Sequence, residues 1–100
     1  MLDITAEYAT ALTEKHIDHT YEVEYGRKFD KIIQRYKQYE SRSVHAFIER
    51  ETGKLIKASG WNAPQRDKDG LAYRYDLSTP EGFDKALNDS DPYGSYLYKR

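Results

Sequence analysis

Cysteine is absent from the 100 residues, which excludes both a disulfide framework and a thiolate-bound metal. No apolar run approaches the ~20 residues that a helix needs to cross a bilayer. The opening MLDITAEY is acidic and polar within its first turn, so it does not read as a secretory signal. There is no glycine-rich phosphate loop, no paired-carboxylate signature and no Cys/His cluster. Nothing in the pattern calls for a metal or a cofactor, and the chain is read as a non-enzyme.

What is present is a small, tyrosine-rich domain. Hydrophobic residues make up 38% and charged residues 33% of the chain, so its interior must be thin. Ten tyrosines and one tryptophan suit such an interior, because a tyrosine buries its ring and keeps its hydroxyl near water. At this length residues 1–100 form a single domain.

The net charge is −1, yet the charges are unevenly placed. Residues 1–25 carry Asp3, Glu7, Glu14, Asp18, Glu22 and Glu24 against Lys15. Residues 26–42 carry Arg27, Lys28, Lys31, Arg35, Lys37 and Arg42 against Asp30 and Glu40. Acidic and basic segments that neutralise one another across a folded surface explain this layout; a basic strand that grips phosphates is the sharper reading. A total near zero argues against a dedicated binder of duplex DNA, whose affinity rests on neutralising phosphates.

Ile4, Tyr8, Ala9, Leu12, His16 and Ile17 recur at threes and fours, predicting an amphipathic helix capped by Asp3 and ending near His19. Tyr21 and Val23 alternate with Glu22 and Glu24 as a half-buried strand ending at Tyr25. Residues 29–36, FDKIIQRY, fit a helix by spacing. A strand is preferred, because it lets residues 21–59 close into one antiparallel meander. In SVHAFIERETGKLIKASGW (43–61) two strands flank a loop at Glu51-Thr52-Gly53, with glycine where φ must be positive. Val44, Ala46 and Ile48 should face the core under the first helix, and His45, Phe47 and Glu49 the opposite face. An outward Phe47 needs cover, expected from the Trp61 loop or from Tyr96, with a partner surface as the alternative. After a loop at 59–69, residues 72–76 add a short edge strand. Thr79-Pro80-Glu81 starts a second helix with a buried stripe of Phe83 and Leu87, Asp91-Pro92 breaks it, and an extended tail places Tyr96 and Tyr98 on one side.

Three histidines invite chemical readings. His16 and His19 have a spacing that two metal ligands can use, but no further cluster completes a set, and histidines near a helix end also suit its dipole. His45, with Lys57 expected across the hairpin, lacks a nucleophile or pocket beside it. Trp61 either plugs one end of the core or anchors a contact. Arg66, Tyr73, Arg74 and Tyr75 lie just beyond it, and tryptophan, tyrosine and arginine dominate binding hot spots. The same alternation of aromatics and cations could stack exposed bases.

Several stretches together carry a resemblance: YEVEYGRKFDKII, SRSVHAFIERETGKLIKASGWNAP, YRYDL and YGSYLYKR. Over roughly residues 20–100 the chain resembles a family of small accessory proteins of actinobacteriophages, mycobacteriophages especially. Related chains are basic after the proline, where this one has Gln65-Arg66-Asp67-Lys68-Asp69, and that departure weakens a phosphate-binding role for the loop. The resemblance implies a phage protein of the host cytoplasm and supplies no catalytic residue.

The expected architecture is α+β: an N-terminal helix on an antiparallel sheet of about four strands, then a loop, a short helix and an aromatic tail. The expected function is binding of a host or phage protein, a second copy of the chain included, through Phe47, Trp61, Arg66, Tyr73, Tyr75 and Tyr96. The alternative is single-stranded nucleic acid held by Arg27, Lys28, Lys31 and Arg35, with Tyr36 or Phe47 stacking on bases. A hydrolase built on His45 is the third reading.

Overall fold

Asp3 accepts a hydrogen bond from the Ala6 amide at 3.0 Å and starts helix α1 (Ile4–Lys15), whose buried side is Thr5, Tyr8, Ala9 and Leu12. The structure, a computed structural model, describes residues 3–36, 42–61, 63–64, 66–67, 70–71, 73–91 and 95–97, with the backbone alone at 63, 66–67, 70–71, 73 and 95. Helix α1 is shorter than its apolar spacing suggests. It ends at Lys15, the His16 amide closes it on the Leu12 carbonyl, and Ile17 stands 72% exposed in the turn that follows. The turn is needed because strand β1 already begins at His19, whose amide bonds to the His16 carbonyl at 3.0 Å.

β1 (His19–Glu24), β2 (Phe29–Tyr36), β3 (Arg42–Glu49) and β4 (Lys54–Ile56) run as an antiparallel meander. Chain order then jumps: β5 (Ala58–Gly60) pairs with β6 (Ala63–Pro64), β7 (Arg66–Asp67) pairs with β8 (Gly70–Leu71), and β9 (Tyr73–Asp76) returns to β4. The main sheet has five strands in the order β1-β2-β3-β4-β9. The expected return strand to Ala58 therefore stops at Ile56, because the chain leaves the sheet at Lys57. Gly53 closes the β3–β4 hairpin with φ of +76°, the left-handed geometry that glycine adopts without strain.

Helix α2 (Pro80–Asp89) starts at Thr79, whose side chain accepts from the Gly82 amide, with Pro80 in the first turn. Gly82 lets this turn press against β9: a Cβ there would lie 1.9 Å from the Asp76 carbonyl oxygen. Phe83 and Leu87 are only half-buried, and the fully buried residue of this helix is Ala86. The Lys15 ammonium reaches from the end of α1 to the carbonyls of Leu87, Asn88 and Ser90 at the C-terminal end of α2, where a cation also suits the helix dipole.

Both helices lie on one face of the sheet. Their Tyr8, Leu12 and Ala86 pack with Tyr21, Ile32, Ala46, Ile48 and Leu55, and Leu77 and Leu97 close the cluster. Residues 30–34 of β2 are buried without a break, so the sheet is covered on its second face too. This continuous burial is why FDKIIQRY lacks a clean alternation. On the second face Lys31, Phe47 and Ile56 are cross-strand partners, and Ile33 lies opposite Val44. The Lys31 ammonium lies 4.8 Å from the Trp61 ring centroid and 6.0 Å from that of Phe47. The segment following β4 thus folds over this face and leaves Phe47 only 4% exposed.

One irregularity rearranges β3. Ile32 pairs with Ala46 but Ile33 with Val44, so His45 is the extra residue of a β-bulge. A bulge breaks the alternation of faces. Ala46 and Ile48 face the helices as expected, whereas Val44 turns to the second face and His45 turns inward, 3% exposed, among residues of the helix side. Ser95–Leu97 form a 3₁₀ turn, so this part of the tail is not extended, and Tyr98 lies outside the described residues. Lys37, Glu40 and Pro92 lie outside them as well.

Candidate functional site

Two places gather polar and aromatic side chains, and they lie on opposite faces of the sheet. The first is internal. The β3 bulge directs His45 Nδ1 to Gln34 Oε1 at 2.9 Å and Nε2 to the Tyr96 hydroxyl at 2.8 Å. The Tyr96 hydroxyl lies 2.7 Å from that of Tyr8. Gln34 Oε1 can only accept, so Nδ1 carries a proton; with a neutral ring, Nε2 then accepts from Tyr96 and Tyr96 from Tyr8. Tyr21 stands edge-on to the His45 ring at 5.2 Å. Burial pushes both phenols, Tyr8 and Tyr96, well above their ordinary value of 10.0. The arrangement is a satisfied chain of hydrogen bonds that ties α1, the 3₁₀ turn and β3 together. The His45 ring is held at both nitrogens within the chain.

The other histidines also contact residues of the chain. His16 Nε2 lies 3.1 Å from Ser90 Oγ, and burial lowers its pKa. The His19 ring packs against Tyr36 at 4.9 Å. Among the described residues no group of three or more His, Cys, Asp or Glu side chains gathers as a metal site. No helix among them is long and apolar enough to cross a membrane.

The second place is on the surface. β4 pairs with β3 only at Phe47 and Ile48, and β5, still beside β3, takes its backbone pairing from β6. A groove of about 290 Å³ opens between residues 42–44 and residues 58–61. Trp61 forms its wall, 43% exposed. Two cations lie against its indole: Lys31, and the exposed Arg42 with its guanidinium carbon 5.4 Å from the ring centroid. Arg35, opposite Arg42 across β2 and β3, adds a third cation on this face. Glu22 lies 3.3 Å from Arg35 and Glu24 3.5 Å from Lys31, both reaching from β1.

The expected site residues separate accordingly. Trp61 is 43% exposed at the groove wall. Phe47 is buried beneath the segment following β4, with its ring edge-on to Phe29 at 6.4 Å. Tyr75 and Tyr96 are half-buried on the helix side, 5.8 Å apart, with the Tyr75 hydroxyl on Asp89. The side chains of Arg66 and Tyr73 lie outside the described residues. Arg27 and Lys28 are exposed in the β1–β2 turn. Lys31 is buried and Arg35 half-buried, both with acidic neighbours from β1, while Tyr36 faces His19 on the other side of the sheet. The stacking ring and the cations of that set are therefore not on one surface. Arg42 was not singled out from the sequence. Only the approach of residues 58–61 to residues 42–44 brings it to Trp61, and no local pattern encodes that.

A family model, described as a family of unknown function (DUF7717), matches residues 2–99. The chain belongs to that family. No curated protein and no solved structure matches it. The DUF7717 match spans the groove, the buried hydroxyl chain and both helices of this chain.

Proposed function

We propose that this chain works by binding a protein partner through the surface around Trp61, without catalysing a reaction. The observation that carries this reading is the exposed indole, held by Lys31 and Arg42 at the wall of an open groove. A tryptophan beside an arginine at a concave surface is the composition of a binding hot spot. The actinobacteriophage resemblance favours a host or phage protein as the partner, in the host cytoplasm, and a second copy of the chain belongs to the same class. Replacing Trp61 tests the reading, since its side chain is peripheral to the core. Trp61→Ala should fold with the thermal stability expected of a surface change and lose partner capture. Capture from infected cells that is equal for the wild type and Trp61→Ala contradicts it.

Binding of single-stranded nucleic acid is the second reading, favoured by the neighbourhood of Trp61 and Arg42. It is weaker, because Glu24 and Glu22 already lie against Lys31 and Arg35. It requires an affinity that falls steeply with salt.

A further inference from the structure

A second concavity lies on the helix side of the sheet, beside the N-terminal ends of α1 and α2. A cleft of about 310 Å³ opens there, with Ile4, Leu77 and Phe83 as apolar wall and Glu7 and Asp84 in its polar lining. The chain holds these walls in place. Asp3 caps α1 and Thr79 caps α2. Leu77, 1% exposed, donates its amide to the Gly53 carbonyl at 2.9 Å. The Phe83 ring stands at 86° to the buried ring of Tyr8, with centroids 5.4 Å apart. Walls formed before a ligand arrives spare it the cost of ordering them. The volume lies at the low end of the range for ligand pockets, about 300 to 1,000 Å³, so the occupant is small.

Charge and hydrogen bonding decide the class of occupant. The two ionisable groups of the lining, Glu7 and Asp84, are both acids, and Lys85 does not line the cleft. Both acids are exposed, with no ion pair among the described residues. The helix dipole accounts for Glu7, in the first turn of α1. Asp84 is the fifth residue of α2, past the turn over which that effect acts. An anion finds few donors here. Pro80 has no amide hydrogen, and the amides of Gly82 and Phe83 are taken by the Thr79 side chain and carbonyl. A long cationic side chain suits both features, since it lays an apolar stem on hydrocarbon and keeps its charged head at a wet rim.

We infer that this cleft binds a basic side chain, lysine or arginine, presented by a partner protein. The stem lies against Ile4 and Phe83, and the cation meets Glu7 and Asp84. The cleft is on the opposite face of the sheet from Trp61, so this second binding site stands or falls independently of the Trp61 contact.

The probe is N-acetyl-lysine N-methylamide, titrated into the isotope-labelled full chain and followed through its amide resonances. It should move the amides of Glu7, Leu77, Phe83 and Asp84 with a Kd of about 1 mM, the scale of a fragment of its size. The norleucine analogue keeps the stem without the ammonium and should bind about fivefold more weakly, as loss of a partly exposed ion pair does. The arginine analogue should match the lysine one. Glu7→Gln and Asp84→Asn should each weaken lysine binding about twofold, and together remove the preference over norleucine. Thermal unfolding of these variants, expected to match the wild type, excludes misfolding as the cause. Trp61→Ala should leave lysine binding unchanged. No shift at these amides, equal affinity for norleucine, a preference that survives the double replacement, or loss of binding in Trp61→Ala overturns the inference. So does n-pentylamine binding more tightly than the capped lysine, which marks a free amine as the occupant. Shifts at the same amides on dilution of the chain alone mark a second copy there and overturn it too.

Discussion

Phe47 and Trp61 are large aromatic residues that meet the same face of the sheet, and they take opposite fates. Phe47 sits in mid-strand between its partners Lys31 and Ile56, with Phe29 beside it. The chain's own segment after β4 covers it, so its burial needs no second molecule. Phe47→Ala should destabilise the isolated chain by about 3 to 5 kcal/mol, the usual cost of removing a buried phenylalanine. Equilibrium urea unfolding checks this; a stability within about 0.5 kcal/mol of the wild type, as for a surface change, contradicts the cover. The need for cover was legible in the strand alternation, which left a phenylalanine facing away from the helices. Trp61 rather than Tyr96 marks the covering segment, since Tyr96 went to the helix side. His45 was misread for a local reason: one bulge turns its ring inward, and a sequence that suits either register does not announce a bulge.

At the level of elements, the hydroxyl chain from Tyr8 through Tyr96 to His45 pins α1 and the 3₁₀ turn onto β3. Burial raises both phenols, so the folded protein keeps protons that the unfolded chain releases at the ordinary tyrosine value of about 10. Stability should therefore be undiminished by these groups below about pH 10 and fall as pH rises further, by up to two protons' worth of slope. Urea unfolding at successive pH values from about 8 to about 11 measures it, and Tyr8→Phe should reduce the slope. A flat profile across that range contradicts the buried pair. The elements themselves were largely readable. Asp3 and Thr79-Pro80 begin helices as capping chemistry requires, and Gly53 closes the hairpin. Residues 29–36 were harder, because burial on both faces erases the period of two. The end of α1 was misplaced because Ile17 continues the apolar spacing into a turn that β1 imposes.

Across the whole molecule, a thin α+β fold buries one face of its sheet under two helices and the other under its own later segment. The result leaves one tryptophan half in water at the wall of a groove. The fold class was accessible from capping, alternation and turn residues, all local signals. The groove was not, because it forms between residues 42–44 and residues 58–61, which are far apart in the chain. The proposed binding of a partner passes through Trp61. As the chain's only tryptophan, it can be replaced biosynthetically by fluorotryptophan, giving a single fluorine resonance that reports on its surroundings in the intact complex. Addition of the captured partner should move that resonance and remove its sensitivity to exchange of the solvent from light to heavy water. A partner bound to saturation with the resonance and its solvent sensitivity unchanged would contradict the claim.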